Sequence, residues 1–169
     1  MFDLNSYFDL ISNTPILRGL TLVVLSIVAA KLVDMVFTFI FKRVVNKTKT
    51  TLDDRILQLL HKPIFYSILF VGFIVSTKAI ALPDYVEFVL IGFFKTITII
   101  VWLFVTSKIL VMSMDWASRQ TASNKVLQRN TLPLFNNLGK IAIGLFGAYF
   151  IFLSWDININ GILASAGVL

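Results

Sequence analysis

The sequence predicts an all-α fold of polytopic membrane helices, four spans plus the start of a fifth helix, and three observations lead there. Of 169 residues, 57% are hydrophobic and 14% charged, with a mean hydropathy of +0.86. A soluble domain carries about 25% charged residues, and so much Phe, Ile, Leu and Val has no place on an aqueous surface. The apolar residues fall into four runs, each long enough to cross a hydrocarbon core of about 30 Å at roughly 1.5 Å per residue. The connections between those runs differ in charge, some basic and some acidic.

Composition also excludes. The net charge of +6 is one signature of a nucleic-acid partner, but its distribution assigns it to membrane orientation, so no nucleic acid is expected. Cysteine is absent, which removes disulfides, thiolate metal sites and thiol catalysis. A single histidine and no converging acid–base set leave no catalytic residue, no cofactor site and no enzyme. The first nine residues lack a basic n-region and do not read as a cleavable signal peptide.

Residues 1–14 place Phe2, Leu4, Tyr7, Phe8 and Ile11 among Asp3, Asn5 and Asp9, the pattern of an interfacial segment or of a frayed terminus. The first span covers 15–41, with Pro15 in the first turn behind a cap at Asn13 or Thr14. Lys31 and Asp34 share one face of it. They either pair with another helix or a lipid headgroup, or compensate each other while Lys31 snorkels, the second being the expectation.

The loop at 42–62 holds Lys42, Arg43, Lys47, Lys49, Arg55 and Lys62. Inside it Thr51 reads as a helix cap, and Asp53 and Asp54 sit where the helix dipole favours negative charge. That helix runs to Pro63, where the second span (64–82) begins with or without a kink. His61 has no second His, Cys or carboxylate cluster near it in sequence, so no metal site is expected.

A tight acidic turn at 83–87 leads to the third span, 86–114, with Lys95 and Lys108 as interface anchors near its two ends. The loop at 115–135 carries Arg119, Lys125 and Arg129, and Asn130 or Thr131 caps the fourth span, 138–155. In that span Lys140 and Trp155 are anchors, and Gly144 and Ala148, with Gly139 and Gly147 nearby, form a face shallow enough for close helix contact.

Nine of the fifteen basic residues lie in the two long loops, whereas the segment up to Thr14 and the turns at 83–87 and 156–160 hold none. The positive-inside rule therefore puts the N-terminus and both short turns outside, and both basic loops in the cytoplasm. After the second outside turn, Gly161, Ala164, Ser165, Ala166, Gly167, Val168 and Leu169 open a fifth helix, heading inward. Its small residues suit tight packing against other helices. Ending at Leu169, it is expected to be the first third of a span, and the chain a fragment or truncated product.

Three local patterns resemble the small-conductance mechanosensitive channel family, in members with extra N-terminal helices. They are Thr51-Leu-Asp-Asp-Arg-Ile-Leu57 with Lys62-Pro63, Asn130-Thr-Leu-Pro-Leu-Phe135 leading into Asn137-Leu-Gly-Lys-Ile141, and Trp155-Asp-Ile-Asn-Ile-Asn-Gly-Ile-Leu-Ala-Ser-Ala-Gly-Val-Leu169. The resemblance implies a homo-oligomer, a heptamer in the family, in a bacterial inner (plasma) membrane and permeated by inorganic ions. Residues 15–155 would be a lipid-facing sensor paddle, and 156–169 the turn and start of the pore helix. Ala164, Ser165, Ala166 and Gly167 would pack pore helices together, and Val168 and Leu169 would begin the lining. The sequence departs from the family in stopping before the gate-forming part of that helix and in lacking the cytoplasmic domains. A non-conducting membrane scaffold or assembly subunit is the alternative reading.

Overall fold

In a computed structural model, the structure describes residues 14–45, 51–120, 132–159, 161, 164 and 167, without the side chains at 41–45, 51–54, 118–120 and 132. The interfacial segment before Thr14, the cap at Asn130 or Thr131, and the pore-helix positions Ser165, Ala166, Val168 and Leu169 lie outside the described residues. So do the side chains of Thr51, Asp53 and Asp54.

The described residues are helical apart from short turns, with no strand among them: α1 (Pro15–Val45), α2 (Thr51–Ala79), α3 (Asp84–Gln120) and α4 (Leu132–Ser154). Each contains a stretch long and apolar enough to cross a bilayer, namely Pro15–Ile40, Arg55–Ala79, Asp84–Ala117 and Pro133–Ser154. The chain is a multi-pass membrane protein.

Local chemistry sets the ends. Pro15 occupies the first turn of α1, where its missing N–H costs nothing, and the Arg18 N–H bonds to the Thr14 carbonyl at 3.1 Å. The Pro83 carbonyl accepts from the Val86 and Glu87 N–H groups at 2.8 and 3.0 Å, and Asp84 and Glu87 sit in the first turn of α3. Pro63 does not end a helix: α2 runs through it, with the ring fully buried. Lacking an N–H, Pro63 leaves the Leu59 carbonyl without its usual helical donor.

The helices pack mainly in sequence order, α1 on α2, α2 on α3 and α3 on α4. Burial is inverted relative to a soluble bundle. Among the described residues Ala30 is the buried hydrophobic one, alongside Ser26, Ser76, Thr77 and Pro63, while Ile16, Phe39, Phe104 and Leu145 are each more than 60% exposed. Small residues let backbones approach, and large apolar ones face outward because lipid is their solvent.

Candidate functional site

The α1–α2 seam is polar and built from small residues. Ser76, almost fully buried, donates its hydroxyl to the Gly19 carbonyl across the seam at 2.5 Å. Gly72 lies against Ser26, and a Cβ on Gly72 would overlap that side chain. At the other end of the seam His61 Nε2 stands 2.8 Å from Asp34 Oδ1 and 3.2 Å from Thr38 Oγ1. Thr38 spends its own hydroxyl hydrogen on the Asp34 carbonyl at 2.8 Å, so its oxygen is left to accept. Nε2 therefore carries the proton, shared between the Asp34 carboxylate and Thr38, and Phe37 packs edge-on against the imidazole.

This corrects the expected local pairing of Lys31 with Asp34. Asp34 turns toward α2 and takes His61 as partner; Lys31 is exposed and makes no ion pair among the described residues. For His61 the sequence argues only against a metal site, and its carboxylate partner on α1 is what sequence reasoning missed. Its signal was there in the hairpin: Asp34 and His61 lie at nearly equal distances from the 46–50 connection, as do Gly19 and Ser76.

Aromatic residues hold α2 to α3. Phe70 and Phe73 both pack on Phe94, with ring centroids 5.9 and 5.4 Å apart. Pairs of this kind contribute about 0.5–1.5 kcal/mol beyond their area. Trp102, midway along α3, donates its indole N–H to Ser67 Oγ at 2.8 Å.

A second tryptophan closes the α3–α4 seam. Trp155 donates its indole N–H to Thr96 Oγ1 at 2.9 Å, and Thr96 donates onward to the Gly92 carbonyl at 2.7 Å. The ring covers Gly92, where a Cβ would stand 3.2 Å from it, and meets Phe88 edge-on. Beside its expected place as an interface anchor, Trp155 makes an interhelical clamp.

Directly after it the chain turns. The Ile157 N–H reaches back to the Phe152 carbonyl (3.0 Å) and the Asp156 N–H to Leu153 (3.3 Å), with Asp156 left-handed at φ +51°. That is a Schellman cap with Asp where Gly is usual. Beyond the turn, Gly161 and Ala164 are helical and exposed, and Gly167 has φ +80°.

The four small residues of α4 do not form one face. Gly139 packs on Leu110 and Gly147 on Leu103, both of α3, and a Cβ at either would run into the leucine. Gly144 has nothing within 4 Å of where a Cβ would stand, and Ala148 is exposed beside it. At about 100° per residue Gly139, Gly147, Gly144 and Ala148 follow one another in that order round the helix, so the first two meet α3 and the last two fall beyond the contact.

Three helices meet around a groove of about 550 Å³. Arg55 from α2, Lys108 from α3 and Lys140 from α4 line it, together with Asp115 and Trp116. Leu59, Phe104, Val111 and Met112 make its apolar wall. Lys108 and Lys140, expected as separate anchors, here line one site; Lys95 is exposed on α3 away from it. Among the described residues there is no group of three or more His, Cys, Asp or Glu able to hold a metal ion. Comparison with protein-family models, with curated proteins and with solved structures returned no match.

Proposed function

We propose that this chain is the membrane-sensor portion of a mechanosensitive ion channel, a homo-oligomer in a plasma membrane that passes inorganic ions when tension rises. Both basic loops face the cytoplasm in this reading, supported by the skewed distribution of Lys and Arg.

One observation carries the reading. The clamp of Trp155 on Thr96 and Gly92 sits one residue before the capped turn that launches the Gly161 segment. Any tilt of the α3–α4 hairpin is therefore handed to the start of the small-residue helix across a short, hydrogen-bonded connection. Tension acts only through a difference between two states in membrane area or lipid contact. Helices packed mainly side by side in chain order, with their large apolar residues outward, present lipid with a surface on which thickness and tension bear. The Gly and Ala residues past the turn allow two close packings, closed and open.

Patch recordings from membranes expressing the gene, under graded suction, are expected to show currents that rise with tension. Currents indifferent to tension, or a stable and electrically silent assembly, would overturn the proposal; the silent outcome would mark a scaffold.

A further inference from the structure

We infer that the groove between α2, α3 and α4 is a binding site for one anionic phospholipid, with the phosphate drawn to Arg55, Lys108 and Lys140 and an acyl chain laid along Leu59 and Phe104. The inference rests on the membrane-spanning architecture and not on channel activity.

Charge is the first argument. Among the described residues the groove is lined by three cations against one carboxylate, Asp115, and none of the three cations has an ion pair. Cations gathered from three helices without a matching set of carboxylates repel one another, and a bound anion relieves that repulsion. Arg offers a fork of donors to phosphate, and the two lysines add mobile point charges on long stems.

Depth is the second. Arg55 opens the apolar stretch of α2, Lys108 lies in the last third of that of α3, and Lys140 in the first third of that of α4. Because consecutive helices run antiparallel, all three fall toward one end of the bundle, the end that adjoins connections 46–50 and 121–131. Trp116 lines the same groove, an aromatic of the kind enriched at headgroup level.

The wall is the third. A site for free phosphate has no use for a run of Leu59, Phe104, Val111 and Met112 beside its cations, whereas a lipid brings a headgroup and a chain that match both. The volume, about 550 Å³, falls within the range of small-molecule sites. By the charge rule this end faces the cytoplasm, where anionic lipids are concentrated.

The test is native mass spectrometry of the delipidated full chain, with phosphatidylglycerol or phosphatidylcholine added at equal concentration. Phosphatidylglycerol is expected to be retained preferentially. Neutralising Lys108→Gln or Lys140→Gln should each lower that preference about fivefold. Helical content by circular dichroism should stay unchanged, since both residues are exposed. Lys78→Gln with Lys95→Gln, two exposed cations outside the groove, should leave the preference intact. Equal retention of both lipids overturns the inference, as does an equal loss from the Lys78 and Lys95 pair, which would indicate general charge attraction. Displacement of the lipid by inorganic phosphate also overturns it, in favour of a free-anion site.

Discussion

Trp155 and Thr96 are joined by a 2.9 Å hydrogen bond that ties the end of α4 to the first third of α3. Thr96 Oγ1 can accept from the indole because its own hydrogen is committed to the Gly92 carbonyl, one turn back on its helix. The bond, the glycine beneath the ring and the cap after it form one unit.

Trp155→Phe keeps an aromatic ring but removes the donor and part of the indole that covers Gly92. It is expected to destabilise the α3–α4 pair by about 0.6 kcal/mol, with a ceiling near ~1.7. Gly92→Leu forces bulk under the ring and should cost more, on the order of 1–3 kcal/mol. Denaturant unfolding in mixed micelles ranks the two, and the reverse ranking would show that the hydrogen bond dominates over packing.

Two glycines of α4 give a sharper contrast. Gly147→Leu meets Leu103 and should separate α4 from α3, whereas Gly144→Leu meets open space and should leave the monomer fold alone. Denaturant unfolding in mixed micelles reports the loss, with the midpoint falling for Gly147→Leu and holding for Gly144→Leu. Equal midpoints in the two variants would contradict the assignment of the two glycines.

Gly72 and Ser26 should behave as a coupled pair. Gly72→Ala pushes on Ser26, whose hydroxyl is held to the Leu22 carbonyl, and should loosen α1 from α2. Ser26→Gly in the same chain removes the obstacle and should restore most of the lost stability. A double-mutant cycle with no coupling energy would mean the two residues are not in contact.

The Asp34–His61 contact can be separated into charge and hydrogen bond. Asp34→Asn keeps an acceptor for Nε2–H, while His61→Ala removes the donor to both Asp34 and Thr38. His61→Ala is expected to be the worse by about 1 kcal/mol, because it strands a half-buried carboxylate. Equal unfolding midpoints for the two would show that the ion pair, not the shared proton, holds this end of the seam.

The left-handed residue in the turn before α3 offers a stabilising change. Ala81 sits at φ +55°, where a Cβ costs roughly 1–2 kcal/mol and glycine costs little. Ala81→Gly should raise the unfolding midpoint in mixed micelles, and no change would mean the turn relaxes without strain.

The four helices were legible because apolar runs of bilayer length need no tertiary information, and Pro15 marks its own position at a helix start. Pro63 was harder: a proline in an apolar run either breaks or bends a helix, and only the continuity of α2 decides between them. The small residues of α4 were visible as a group. Which of them meets α3 depends on rotation about the helix axis, and neighbours round it such as Gly147 and Gly144 look alike in a linear pattern. Lys108 and Lys140 were each conspicuous, but their convergence with Arg55 needs the placement of three helices at once. The partner of His61 was missed for a related reason: it lies on another helix, and the pairing shows only when the hairpin is folded about its connection.

Packing mainly between consecutive helices has a consequence for biosynthesis. Each helix finds its principal neighbour in the one made just before it, so docking can keep pace with translation and need not wait for distant segments. Most of the loops that must close are those of simple hairpins, the first of them fastened by Ser76 and Gly19 across α1 and α2.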